Sequence, residues 1–115
     1  MDFSDTPTRN IYSAVPLKTA EEEFLTLMVA KGVKIERIVS NGQVTPEGEW
    51  YDQAQDEWVL LLQGSAEILV EGEGVPIKLQ TGDYLLLPAH CRHRVIWTDP
   101  DRPTVWLAVH FGGLQ

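Results

Sequence analysis

From Val33 onward the chain alternates apolar and polar residues with a period of two. Val33, Ile35 and Arg37 alternate with Lys34, Glu36 and Ile38, which predicts a strand over about 33–39. Further apolar runs follow at Trp58–Gln63, Ala66–Glu71, Val75–Leu79, Tyr84–Leu87, Val95–Thr98 and Thr104–Phe111. Each is closed by a turn: Ser40-Asn41-Gly42, Pro46-Glu47-Gly48, Gly72-Glu73-Gly74, Thr81-Gly82-Asp83, Pro88, or Asp99-Pro100-Asp101-Arg102-Pro103. Gly64-Ser65 is a pair of the II′ type and predicts a hairpin joining its two flanking runs. A brief strand is expected after Ser40–Gln43, and Trp50–Gln53 reads as extended, with a bend at Gln55-Asp56. Roughly eight short strands without intervening helices define an antiparallel barrel or sandwich and exclude a parallel α/β sheet.

The pattern before Val33 is different. Thr19-Ala20-Glu21-Glu22 carries a capping-box spacing, and Phe24, Leu27 and Met28 share one helical face. Gly32 then supplies a stop. The spacing predicts a short N-terminal α-helix over about 20–31, packed on the outside of the barrel. Residues 1–16, with Pro7 and Pro16, read as an arm lying over the body through Ile11, Tyr12 and Val15. The expected organisation is one domain over 1–115: arm 1–16, helix 19–32 and barrel 33–111.

Composition adds limits. With 115 residues, 43% of them hydrophobic, the chain can bury a core unaided. A net charge of −8 argues against binding the phosphate backbone of nucleic acid. No apolar run reaches the roughly 18 residues that span a bilayer. The acidic N-terminus does not resemble an export signal, and the single Cys91 fits a reducing compartment. No nucleic-acid or membrane partner and a cytoplasmic location are the expectations.

Two stretches carry a resemblance. Gly82, Pro88 and His93 stand at the spacing of the second motif of the cupin superfamily, with His90 at its second glycine and Trp97 at its asparagine. Glu57 and Gly64 stand at the spacing of the first motif, with Thr45 at its leading glycine and Tyr51 and Gln53 at its two histidines. The chain resembles a small single-domain cupin, a jelly-roll β-barrel, with a degenerate first motif. In such cupins two histidines, the glutamate and the second-motif histidine converge on one divalent metal ion inside the barrel.

Strand parity points the same way: 51, 53 and 57 share one side of an extended segment, as do 93, 95 and 97. Gln53, Glu57 and His93 are thus the candidate metal ligands, and Glu57 the candidate catalytic acid or base. Tyr51, Trp97 and the rim residue His90 are the candidate ligand-binding residues. One carboxylate, one imidazole and one amide form a thin set for a transition metal. Two states therefore stay open, a single divalent ion or a metal-free polar pocket with Glu57 and His93 paired.

The other candidates have plainer readings. His110 on the apolar last strand reads as a satisfied core histidine. Cys91 points away from its neighbour His90 and makes no dyad with it. Arg92 and Arg94 either meet an anionic ligand or pair with surface carboxylates. Asp52 and Asp56 read as solvated loop charges. The main functional expectation is a barrel binding a small organic molecule. Alternatives are a metal-dependent isomerase, lyase or dioxygenase, and a structural or partner-binding barrel with a filled interior. A homodimer is the expected assembly, as the resemblance implies.

Overall fold

The structure, a computed structural model, describes residues 8–112. Pro7 and the rest of the first part of the expected arm lie outside the described residues. Eight strands follow one another: β1 (Glu23–Ala30), β2 (Val33–Ser40), β3 (Asp56–Gln63), β4 (Ser65–Val70), β5 (Ile77–Gln80), β6 (Tyr84–Leu87), β7 (His93–Thr98) and β8 (Thr104–Phe111). They form a five-stranded sheet in the order β1-β2-β8-β3-β6 and a three-stranded sheet in the order β5-β4-β7, with every pairing antiparallel. The result is an all-β, cupin-like double-stranded β-helix. Among the described residues no helix is long and apolar enough to cross a membrane.

The alternation seen in the sequence explains the core. Val59 and Leu61 of β3, Ala66 and Ile68 of β4, Leu79 of β5, Leu87 of β6, and Trp106 and Ala108 of β8 form one buried cluster between the sheets. Each strand offers every second residue to that layer, the geometry that period-two patterning demands.

The expected helix over 20–31 is instead an edge strand. β1 pairs with β2 from Glu23↔Val39 to Ala30↔Val33, with a bulge between Thr26 and Met28. The capping box never forms, because the Thr19 hydroxyl donates to the Glu21 carbonyl at 2.6 Å. The two glutamates are held across the sheet, Glu22 accepting from Ser40 Oγ and Glu23 from Arg37 Nη2, each at 2.5 Å. The free edge of β2 offered a ladder of hydrogen bonds, and a segment as apolar as Phe24–Val29 took it, overriding its local helical spacing. Gly32, read as a helix stop, turns the β1–β2 hairpin at φ 74°.

A second expectation is also corrected. Gly64-Ser65 is not a hairpin, since β3 and β4 lie in different sheets. Gly64, at φ 95°, carries the chain from one sheet to the other against β8, and a β-carbon there would lie 2.8 Å from Thr104 Cα and 2.5 Å from its Oγ1. Only glycine fits.

The brief strand expected after Gln43 is absent as a strand, but the segment runs beside β7. Thr45 N–H donates to the Val95 carbonyl at 2.9 Å, and Tyr51 and His93 exchange backbone hydrogen bonds at 2.7 and 3.1 Å. Residues 11–13 reach the outer face of the larger sheet at Arg37, whose Nη1 donates to the carbonyls of Ile11 (3.0 Å) and Ser13 (2.6 Å).

Candidate active site

A cavity of about 70 Å³ lies between the sheets at the end where β3 and β7 begin. Val59, Ile68, Leu87, Val95 and Trp106 wall it with apolar surface, and Glu36, Tyr51, Gln53, Glu57, His93 and His110 supply its polar side. A wider vestibule of about 330 Å³ adjoins it, sharing Glu36, Gln53 and His110.

Glu57 is the second residue of β3 and is only 6% exposed. Opposite it, His93 opens β7 at 5% exposure. His93 Nδ1 lies 2.8 Å from the Cys91 carbonyl, which can only accept, so Nδ1 carries a hydrogen and the neutral ring presents its lone pair at Nε2. That Nε2 stands 3.7 Å from Glu57 Oε1. On the other side of the carboxylate, His110 Nε2 stands 3.9 Å from Glu57 Oε2 and donates to Glu36 Oε1 at 2.9 Å. Glu57 thus sits between two imidazoles, beyond direct hydrogen-bond length from both.

Burial pushes the Glu57 carboxyl above the usual carboxylate range, the His110 and His93 imidazoles pull it back, and Glu36 adds to the rise. Tyr51 stacks on His93 with ring centroids 5.5 Å apart. Burial raises its phenol too, and Glu22 and Glu57 add to the effect, so Tyr51 stays a protonated donor. Glu22 is raised by burial and lowered by its bond from Ser40.

Of the residues expected to form the site, Tyr51, Gln53, Glu57 and His93 line the cavity. Trp97 does not. β7 pairs Val95 with Ile68 and Trp97 with Glu67, leaving Ile96 unpaired in a bulge. The extra residue flips the alternation, so Thr98 turns inward opposite Ala66 while Trp97 faces out at 39% exposure. His90 is exposed at the rim, its Nδ1 2.8 Å from Asp52 Oδ1. Its φ of 63° explains why the cupin pattern has glycine at that position. Asp56 is not a free loop charge, for its Oδ1 accepts the Ala89 N–H at 2.8 Å and holds the turn before β7.

Three acidic or basic neighbours were missed or undervalued by the sequence reading. Glu36 shares parity with Ile38, and His110 with Trp106 and Ala108, so alternation alone could have placed both inside. Glu22 was hidden by the helix assignment.

The donor set does not complete a metal centre. His93 and Glu57 converge, but His110 Nε2 is engaged by Glu36 and Gln53 offers only an amide. Among the described residues no group of three or more His, Cys, Asp or Glu is placed to hold a metal ion.

A double-stranded β-helix with Glu57 and His93 at the two motif positions defines a cupin-type barrel, and the chain belongs to the cupin domain family, whose model matches residues 37–110. It is similar to a Ralstonia eutropha JMP134 protein described as "a putative mannose-6-phosphate isomerase", with 53% identity, 91% of this chain and 97% of that one covered, and a TM-score of 0.89. A cupin superfamily protein from Desulfitobacterium hafniense DCB-2 shares the fold at 21% identity and a TM-score of 0.67, covering 82% of this chain and 80% of that one. A Thermus thermophilus protein does so at 15% identity and 0.74, covering 90% and 95%. No curated protein matches the chain.

Proposed function

We propose that this cupin is an enzyme of the isomerase type, moving a proton between adjacent carbons of a small hydroxy-carbonyl compound held in the barrel. One observation carries the reading: a carboxyl raised by burial opens onto a cavity and is flanked by two imidazoles. A carboxyl lifted above its ordinary 4.5 gains proton affinity, which suits it to taking a proton from carbon and returning it. In this reading Glu57 removes the proton from the carbon next to the carbonyl and returns it to the neighbouring carbon. His93 Nε2 accepts the proton of the substrate hydroxyl and gives it back to the other oxygen, while the Tyr51 phenol steadies the oxygens by donating to them. The net change is the exchange of a carbonyl and a hydroxyl between two carbons, with no oxidant required. The relationship to the Ralstonia protein supports the same class.

The single divalent ion expected on Gln53, Glu57 and His93 has no role in these steps, because its donor set is incomplete. The test is proton exchange. In D₂O, a panel of small hydroxy-aldehydes and hydroxy-ketones, mannose among them, is followed by NMR with metal-free protein. Deuterium entering the carbon beside the carbonyl, and its loss in Glu57→Gln, is the expected result. Binding without exchange would return the chain to the small-molecule-binder reading, and exchange only after a divalent metal is added would restore the metal-dependent one.

The expected homodimer is a second proposal. Its support is β1, an edge strand whose Phe24, Leu25, Leu27, Met28 and Val29 are all exposed.

A further inference from the structure

The charge of the groups around the cavity limits what can enter it. Glu22, Glu36 and Glu57 all line it, and no lysine or arginine does. Lys34 lines the outer vestibule, where it is drawn to Glu36 Oε2 at 3.6 Å. The arginines flanking His93 are directed elsewhere. Arg92 pairs with Glu71 at 2.8 Å, and both Arg92 and Arg94 lie over the Trp50 ring at 5.8 and 5.7 Å from its centroid. Arg37, though buried, is on the opposite face of its sheet, bound to Glu23 and to the Ile11 and Ser13 carbonyls.

A phosphate group entering this space would lose its hydration without gaining the Arg or Lys donors that usually replace it. It would also stand beside carboxylates in a region of low dielectric, where like charges repel strongly. A neutral hydroxyl or an ammonium meets the opposite situation. Glu57 is more than nine-tenths buried, aims into the cavity, and has its nearest imidazoles beyond hydrogen-bond length. Its oxygens are therefore acceptors awaiting a donor. Tyr51 and Trp106 also line the cavity, and aromatic rings suit a cation or an aliphatic segment equally.

We infer that the substrate of this site is an unphosphorylated, non-anionic small molecule, with neutral or cationic hydrogen-bond donors meeting Glu57. The inference rests on the cavity being the active site, as proposed above, but it deepens that reading by setting the charge of the substrate. It separates this chain's specificity from the phosphorylated sugar in the description of its Ralstonia relative.

The experiment compares three probes that share one propyl chain: n-propanol, n-propylammonium and n-propyl phosphate. Each is titrated into ¹⁵N-labelled native protein, and the indole N–H signals are followed. Trp106 lines the cavity and reports on it, while Trp97 faces outward and serves as the control. The expected result is that propanol and propylammonium move the Trp106 signal, and propyl phosphate binds at least tenfold more weakly. Glu57→Gln should weaken propylammonium about tenfold and leave propanol nearly unchanged. Equal or tighter binding of propyl phosphate, or no movement of Trp106 with any probe, would overturn the inference. Because the readout is binding, charge-selective binding in a protein without proton exchange would sink the isomerase reading alone.

Discussion

His93 presents Nε2 to Glu57 at 3.7 Å because its other nitrogen is tied to the Cys91 carbonyl. The ring cannot turn its lone pair away from the carboxyl without breaking that bond. His93→Gln and His93→Ala should therefore both abolish any proton exchange catalysed by the native protein. Elemental analysis of the native protein beside Glu57→Ala and His93→Ala would expose a hidden ion as stoichiometric metal lost in both variants.

Glu57 should make the fold lose stability as pH rises above the ordinary carboxyl range. Its carboxyl is raised in the folded state, so over the interval from about its ordinary value of 4.5 up to the raised one the native protein holds a proton that the unfolded chain has lost. Stability from this group is full below that interval and falls as pH rises through it. Urea unfolding at a series of pH values should show Glu57→Gln with a flatter profile and, above that interval, about 1–2 kcal/mol more stability, the order expected when a buried group poorly supplied with hydrogen bonds is relieved of its charge. An identical pH profile in the two proteins would refute this.

Gly64 should tolerate no side chain. Gly64→Ala places a methyl within 3 Å of Thr104 at a positive φ, where steric overlap and backbone strain add. A loss of about 2–4 kcal/mol is expected in chemical denaturation. Gly72→Ala, at a positive φ with nothing within 4 Å, should lose only about 1–2 kcal/mol.

His90 offers the converse. At φ 63° it occupies a conformation that glycine adopts freely, while its bond to Asp52 is exposed and worth little. His90→Gly should be at least as stable as the native protein, and His90→Val about 2 kcal/mol less stable than His90→Gly. Thermal melts of the pair measure that difference directly.

The edge strand gives a prediction about assembly. Light scattering should find the native protein at twice the 12.9 kDa chain mass, and Val29→Lys should shift it toward the monomer. A native monomer at micromolar concentration would exclude the proposed dimer.

Alternation carried most of the fold. The strands at 33–40, 84–87 and 104–111 were readable almost to the residue, because each is a short apolar-rich run of strand length bounded by clear turn residues. The exception was Glu23–Ala30, where apolar residues spaced for a helix also suit a strand. That choice was made by β2's open edge, which no local pattern records. Within the site, Tyr51, Gln53, Glu57 and His93 were legible from motif spacing and parity. Trp97 was misplaced because a bulge is a single unpaired residue, and nothing about Ile96 announces it. Glu36 and His110 carried the right parity, but their partnership spans 74 positions of sequence and emerges only when β2 and β8 pair.

That unpaired Ile96 has a consequence for how this barrel can diversify. Everything in β7 beyond it is out of phase with His93, so the wall of the cavity here is written by residue count as much as by residue type. Substituting Trp97 edits the exterior. Deleting Ile96 would leave Trp97 opposite Glu67 and Thr98 opposite Ala66, whereas absorbing Ile96 into a regular ladder would turn the indole inward and Thr98 outward without changing any letter of the strand. Which side chain faces the interior beyond Val95 is thus set by whether the bulge forms, and not by composition alone.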